Sequence, residues 1–259
     1  MMPTLTGQAP DLLASRAGPL LRASLSRAIR NISTGGMDPV EVQTARAREL
    51  EALGLPRIAG WVEGCGVDHP WCRQRLCPRC AERLARRRHR LAASRVRRMA
   101  RPVFFTLGVA VAVGDPARLA DGIKAFRRDI SRIRRNACFR SVNRGEGGIE
   151  LKLAGDSKRW LVHAHLALDV PRGWDWKAAA RRWSELTSMI GRLPGRMLPH
   201  PRWPIIEAAS VWPVARYFTK ASGWCPSPGV LVPERLDEWR RAIRGVRLPI
   251  SWGGRLSSL

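Results

Sequence analysis

The spacing of apolar residues predicts a mixed α/β core in the middle of the chain. Residues 103–113 are almost continuously apolar, which is typical of a strand buried inside a sheet. After Asp115-Pro116, apolar residues recur every three or four positions, as on the buried side of a helix. That stripe consists of Leu119, Ile123, Phe126, Ile130 and Ile133. The change of period predicts a strand followed by a helix that packs on it.

Further strands and helices are predicted downstream. Strands over 148–154 and 160–169 flank a polar turn at 155–158, which would join them as a hairpin. A second amphipathic helix follows, with one apolar side made of Trp176, Ala179, Ala180, Trp183, Leu186 and Ile190. A short strand at 205–209, a helix at 212–222 and a helix at 233–244 complete the pattern. The expected fold class is α+β, an antiparallel sheet flanked by helices.

Four segments are expected along the chain. Residues 1–60 form a basic arm, partly disordered, and a helix at 38–55 that Asp38 and Pro39 begin and Gly54 ends. Leucines between Leu12 and Leu25 predict an amphipathic helix within the arm. Residues 61–100 hold cysteines and arginines, 101–225 form the core, and 226–259 form a basic tail.

The charge balance limits the kind of partner. The chain carries 46 Lys and Arg against 21 Asp and Glu, a formal net charge of +25. Such a surface favours a polyanion or an acidic membrane. No apolar run reaches transmembrane length, so nucleic acid is the better prediction, with a cytoplasmic location and no membrane. A generally basic proteome is the alternative explanation of the charge.

An arginine-rich stretch follows the cysteines and predicts a basic helix. It contains Arg83, Arg86, Arg87, Arg88, Arg90, Arg95, Arg97 and Arg98. Phosphate contact is the prediction and a solvated charged face is the alternative. The predicted DNA-binding set is Arg83, Arg86, Arg87, Arg90, Arg97 and Arg98.

Four cysteines predict a structural zinc site. Cys65, Cys72, Cys77 and Cys80 have the spacing C-x6-C-x4-C-x2-C, and the last pair can place two thiolates on one ion. His69 could replace Cys65 or Cys72 as a ligand. Cys138 and Cys225 are interpreted as small hydrophobic residues.

Two histidines lie two residues apart on the second hairpin strand, so their side chains share one face. If Ala154 pairs with Arg159, Glu150 lies opposite His163, and the apolar residues of both strands share the other face. Leu161 is the exception, because it shares the histidine face. Glu150, His163 and His165 would then form a divalent-metal site with open positions. An accidental His-x-His pair is the alternative interpretation.

The single tyrosine of the chain, Tyr217, lies in the predicted helix that begins near Pro213. Lys220 is three residues away on the same face and could stabilise a phenolate or hold a phosphate. Val214 and Phe218 could anchor the helix to the sheet. The alternative is an interfacial aromatic with a polar tip.

These residues together resemble the HUH endonucleases, and among them the rolling-circle plasmid replication initiators (Rep proteins) with one catalytic tyrosine. Phe104-Phe-Thr-Leu107 is similar to their first strand motif, Val162-His-Ala-His-Leu166 to their metal motif, and Ala215-Arg-Tyr-Phe-Thr-Lys220 to their tyrosine motif. Cysteine clusters before the first motif also occur in that family. The resemblance covers roughly residues 65–222.

The resemblance implies an HUH/RRM-like core and a nicking-joining reaction on single-stranded or hairpin origin DNA. Tyr217 would be the nucleophile and leave a 5′-phosphotyrosine and a free 3′-hydroxyl. Glu150, His163 and His165 would hold Mg²⁺ or Mn²⁺, with Lys220 assisting. Host helicase and polymerase are the implied partners, and a homodimer is allowed.

One departure concerns the second strand transfer, because the chain has no second tyrosine. An activated water or a second copy would have to serve, and Glu207 is the suggested base because Pro213 occupies the natural position. An HUH transposase or relaxase, and a non-catalytic zinc-containing DNA-binding protein, remain the competing hypotheses.

Overall fold

The computed structural model describes residues 38–154, 158–188, 195–220, 225–226 and 231–253. Its helices are α1 Pro39–Ala52, α2 Pro56–Glu63, α3 Pro78–Arg97, α4 Pro116–Ile133, α5 Ala137–Arg140, α6 Trp176–Ser188, α7 Val211–Thr219 and α8 Pro233–Ala242. Its strands are β1 Pro102–Ala112, β2 Arg144–Leu153, β3 Arg159–Asp169, β4 Arg196–Pro199 and β5 Pro249–Trp252. Asp38 caps α1 through a capping box and Asp115 caps α4, as their positions before a proline predict.

The five strands form one sheet in the order β4-β1-β3-β2-β5, and every neighbouring pair is antiparallel. The predicted α+β class with an antiparallel sheet and flanking helices is confirmed. The hairpin of β2 and β3 has the predicted register, with Glu150 opposite His163 and Ile149 opposite Ala164. Leu161, the exception on the histidine face, is 38% exposed, so it costs the register little buried area.

Each face of the sheet is covered by its own helices. The apolar stripe of α4 is fully buried against the face that carries Trp160, Val162 and Ala164. The histidine face is covered by α3 and α7, with a separate apolar cluster around Phe104 and Ala167. Both predicted anchors of the tyrosine helix, Val214 and Phe218, are buried in that cluster. The tyrosine helix is therefore packed directly over the strands that carry the histidines.

The predicted strand at 205–209 is wrong. The edge strand next to β1 is β4, whose residues 196–199 pair with Phe105–Gly108. Downstream of it, Ile205 makes only an isolated bridge with Val103. Pro201 and Pro204 have no N–H to donate to a ladder, so the chain runs irregularly along β1 before a short 3-10 turn at Ala208–Ser210.

The segments at the two ends of the described chain belong to the same core as the sheet. Leu50 of α1 and Val62 of α2 are buried in the main apolar cluster, together with Trp239 of α8. Strand β5, which lies within the predicted basic tail at 226–259, extends the sheet by pairing with β2. With four residues, β5 is too short to give a periodic signal. The predicted arm at 1–37, with its leucine helix, and Ile190 lie outside the described residues.

Among the described helices, none combines the length and the apolar character that crossing a bilayer requires.

Candidate metal centre and tyrosine site

The β2–β3 hairpin brings together three side chains that could ligate a metal, called here the metal-ligand group. The Nε2 atoms of His163 and His165 lie 3.4 and 3.5 Å from Oε2 of Glu150. One ligand atom from each of the three residues lies within 4.8 Å of the others. Two imidazoles and one carboxylate in this arrangement could bind a divalent ion and leave positions open for other oxygen ligands. The predicted grouping of these residues is therefore present.

The electrostatics of the group keep Glu150 ionised. Burial alone would raise the pKa of the Glu150 carboxyl, but hydrogen bonds from both histidines and the charge of Lys220 outweigh it. The pKa of Glu150 therefore lies well below its ordinary value. Burial lowers the pKa of His165, partly offset by Glu150, which favours the neutral imidazole that a metal needs.

Lys220 links the metal-ligand group to the tyrosine. Its Nζ lies 2.9 Å from Oε1 of Glu150, while Oε2 of the same carboxylate faces the histidines. The same Nζ lies 4.8 Å from the centre of the Tyr217 ring. One cation thus contacts both predicted functional groups.

Tyr217 lies against the histidine strand. Its ring centre is 4.7 Å from that of His165, edge to face, and 5.9 Å from that of Phe104. Helix α7 comes this close because Gly148, opposite His165 on β2, has no side chain. A Cβ there would lie 2.6 Å from the carbonyl oxygen of Phe218.

His200 is a further residue of this site that the sequence did not indicate. It is buried, its ring centre lies 5.0 Å from that of Tyr217, and it stacks on Trp203 at 5.2 Å. Its backbone N–H donates to the carbonyl of Phe104, which holds it just beyond the end of β4. Because β4 itself was missed, no local pattern connected His200 with the site.

Thr106 was also missed and lies behind the metal-ligand group. Its Oγ1 is 2.9 Å from Nδ1 of His165. If a metal were bound at Nε2, the proton of the neutral imidazole would lie on Nδ1 and could be donated to this hydroxyl. Thr106 pairs with His165 across β1 and β3, a long-range register that the sequence does not encode.

The four predicted cysteines form a second compact cluster. The sulfur of Cys80 lies 3.6 Å from the sulfurs of Cys65 and Cys72, and all four sulfurs lie within 4.8 Å of one another. Backbone N–H groups of Cys72 and Cys80 each point at a cysteine sulfur at 3.5 Å. Tetrahedral zinc with bonds of about 2.3 Å requires sulfurs about 3.8 Å apart, so the donor set fits that ion.

Burial makes two of these thiols costly to ionise without a cation, whereas burial of Cys65 is outweighed by hydrogen bonds from the Cys72 backbone and from other cysteines, which lower its pKa. Burial raises the pKa of the Cys77 and Cys80 thiols, and a bound divalent ion would reverse that effect at these two residues. The alternative ligand His69 is engaged elsewhere, since its Nε2 lies 2.9 Å from the carbonyl oxygen of Trp61. Cys225 is buried and Cys138 is half-buried against the main core.

The arginines of α3 divide by exposure. The six predicted DNA-binding residues are all exposed, and helical spacing places them on one stripe: Arg83, Arg86, Arg87, Arg90, Arg97 and Arg98. Arg88 and Arg95 are half-buried, and Arg95 forms an ion pair of 2.8 Å with buried Glu146. Helix α3 packs against α7, so the basic stripe runs beside the tyrosine helix.

The start of the tyrosine helix adds an exposed aromatic group to that stripe. Trp212 is 41% exposed, and the guanidinium of Arg97 lies 5.0 Å above its ring. Glu207, the suggested base, is exposed and directly precedes the 3-10 turn that leads into α7. Its suggested role stays a prediction.

Comparison with protein-family models, with curated proteins and with solved structures found no match. The functional assignment therefore depends on the residues and geometry of this chain.

Proposed function

We propose that this chain is a metal-dependent enzyme that nicks and joins single-stranded DNA through Tyr217, of the HUH type and of the single-tyrosine replication-initiator kind. One observation carries the proposal. The only tyrosine of the chain lies 4.7 Å, ring centre to ring centre, from a histidine of a Glu-His-His group. Nucleophile and metal ligands from sequence-distant segments are thus adjacent, as phosphodiester transfer requires.

The proposed reaction is a transfer between two phosphodiesters. The Tyr217 hydroxyl loses its proton and its oxygen attacks the scissile phosphorus, forming a P–O bond to tyrosine. The bond from phosphorus to the 3′-oxygen breaks, and that oxygen takes up a proton to leave as a 3′-hydroxyl. Lys220 is positioned to stabilise the phenolate or the phosphate. The joining step is the reverse attack by a 3′-hydroxyl.

The metal proposed for Glu150, His163 and His165 is Mg²⁺ or Mn²⁺, which when bound would polarise the scissile phosphodiester. In this chain, Oε2 of Glu150 faces the histidines while Lys220 holds Oε1, so the carboxylate is oriented before an ion arrives. His165 is oriented by Thr106 in the same way. The chain therefore supplies a group that needs little rearrangement.

DNA is the proposed substrate because the stripe of exposed arginines runs beside the tyrosine helix, where it can bind phosphates on the approach to Tyr217. The proposed role of the cysteine cluster is structural, with one zinc ion that fixes the start of α3 and so the direction of the stripe. A second copy or an activated water would complete the second strand transfer.

The test is a denaturing gel of the purified chain incubated with a mixed pool of single-stranded oligonucleotides. The chelator EDTA would also remove zinc, so the negative lane omits manganese and keeps stoichiometric zinc. We expect a manganese-dependent covalent band that is lost in Tyr217→Phe while DNA binding persists. Nicking at the wild-type rate by Tyr217→Phe would contradict the assignment.

The zinc-containing DNA-binding protein without catalysis is the second candidate, favoured by the cysteine cluster and the exposed arginines alone. It requires tight, salt-sensitive binding that is indifferent to manganese. A binding protein of this kind gives no covalent product with any member of the pool. Metal-dependent cleavage of any member would exclude this second candidate.

A further inference from the structure

A cavity of about 670 Å³ opens beside α3, away from the tyrosine helix. It lies between residues 71–75 of the cysteine-containing segment, the first half of α3 and the segment 243–249 that leads into β5. Its volume is in the range of pockets that hold a small organic ligand. Helical spacing separates it from the tyrosine side: Leu84 and Arg88 point to the cavity, whereas His89 contacts α7.

The charge of the cavity is strongly positive. Four arginines line it, Arg73, Arg75, Arg88 and Arg247, and no carboxylate is among its described lining residues. Arg75 is used structurally, because it donates to the carbonyls of residues 243 and 246 and so fixes one wall. Of the other three, Arg73 and Arg247 are exposed, while the charge of Glu146 acts on half-buried Arg88. This lining favours an anionic ligand.

Most of the remaining lining is apolar and includes an aromatic ring, while Gln74 and the thiol of Cys80 are its polar members. Trp71, Leu84 and Val246 contribute to it, together with Ile243. Trp71 is 36% exposed and Leu84 is 40% exposed, so both keep apolar surface open to solvent, and the guanidinium of Arg83 lies 4.8 Å from the centre of the Trp71 ring. An apolar wall with cations at its margin fits a flat, partly apolar group that carries a phosphate, which describes a nucleotide.

The cavity is close to the metal-ligand group, across one strand. Pro249 of its lining pairs with Gly148 of β2, which pairs with His165 of β3. With strands about 4.8 Å apart, the backbone at Pro249 and the backbone at His165 are about 10 Å apart. This distance runs through the sheet, so a strand that reaches both places must pass around β2 and α3 and span more than about 10 Å.

We propose that this cavity binds one nucleotide of the single-stranded DNA substrate, a few nucleotides from the scissile phosphate, with its base against Trp71 and Leu84 and its phosphate near Arg247. The inference depends on the proposed function for the identity of the strand as substrate. It adds a second point at which the strand is held, so the chain selects its cleavage position by more than phosphate contacts.

The test measures binding of fluorescein-labelled single strands to the full chain by fluorescence polarisation, without added magnesium or manganese. The two probes are a twelve-nucleotide thymidine strand and an abasic strand with the same number of phosphates. Leu84→Gln changes the apolar wall without changing charge, and Leu91→Gln on the same helix is its control. Arg247→Gln removes a lining cation, and the neighbouring exposed Arg244→Gln is its control.

We expect Leu84→Gln to weaken binding of the thymidine strand about threefold or more and to leave the abasic strand unchanged. Arg247→Gln should weaken both strands more than Arg244→Gln does. Equal affinities of each variant and its control for both strands would overturn the proposal. So would calorimetric binding of free thymidine monophosphate that Leu84→Gln abolishes while strand binding is unaffected, since the cavity would then serve a free nucleotide.

The outcome is separable from that of the nicking assay. Tyr217→Phe should bind both probes like the wild type, because the measurement needs neither the nucleophile nor a catalytic metal. If Leu84→Gln weakens strand binding but the wild type forms no covalent product, the cavity assignment stands and the nicking function is refuted. If the wild type forms the covalent product but Leu84→Gln binds the strand with unchanged affinity, the nicking function stands and the cavity assignment is refuted.

Discussion

Gly148→Ala should slow the proposed nicking reaction by moving the tyrosine helix. The new Cβ would lie 2.6 Å from the carbonyl oxygen of Phe218, and ordinary contact begins at about 3.4 Å. Strand β2 is held by partners on both sides, at His165 and Pro249. The helix must therefore retreat by about 0.8 Å, because a backbone carbonyl cannot rotate away as a flexible side chain could.

The size of the effect follows from that displacement. Tyr217 is the neighbour of Phe218 on α7, and a displacement near 1 Å of a reacting group can cost about 10²-fold in rate. We expect covalent adduct formation about 10- to 100-fold slower, and a free energy of unfolding lower by about 1–3 kcal/mol. Affinity for single-stranded DNA should change little, because the arginine stripe lies on α3.

The assay is the initial rate of manganese-dependent adduct formation per folded molecule, with the folded fraction taken from circular dichroism. Gly60→Ala in α2 is the matched control, since a Cβ there meets nothing within 4 Å. That variant should keep the wild-type rate and gain up to about 1 kcal/mol of stability. A Gly148→Ala variant with the wild-type rate and melting temperature would refute the packing of α7 on β2.

Three further predictions concern other parts of the molecule. Burial lowers the pKa of His89, so the folded chain binds a proton there less readily than the unfolded chain does. The free energy of unfolding should therefore be highest above about pH 6.5, the ordinary pKa of histidine, and should decrease as the pH falls below it. Thermal melts at pH 7.5 and 5.5 should show a smaller decrease in His89→Gln than in the wild type. Cys77→Ser should bind less of the proposed zinc than the wild type, measured by elemental analysis, and should be less stable, whereas Cys138→Ser should keep the wild-type zinc content. Replacing Arg87 and Arg90 by Gln should reduce the salt slope of single-strand binding by about 1.4, and an unchanged slope would exclude phosphate contact there.

The β2–β3 register could be derived from the sequence because alternation has a strict period of two. Once Ile149, Leu151 and Val162 are placed on the core face, the opposite face must hold Glu150, His163 and His165. The tyrosine helix could be predicted from the sequence for a similar reason, since Val214 and Phe218 define its buried side. The face of a strand or helix on which a functional side chain lies can thus be predicted from the apolar periodicity of that element alone.

The remaining parts of the site depend on contacts between distant segments. Strands β4 and β5 have four residues each, so their pairing is determined by the sheet rather than by a local pattern. His200 reaches Tyr217 only because β4 ends beside Phe104. The sequence also did not show which α3 arginines are exposed and which are half-buried, because the partner of Arg95, Glu146, lies on the distant strand β2.

The proposal is tested most directly by identifying the residue that carries the DNA. Trypsin cleaves after Arg216 and Lys220, so the proposed nucleophile lies in the four-residue peptide Tyr217–Lys220. After nuclease digestion of the manganese-dependent adduct, mass spectrometry of the tryptic peptides should find this peptide with a 5′-phosphoryl nucleotide on Tyr217. A nucleotide on any other residue, or an unmodified peptide in a fully shifted sample, would contradict the central claim.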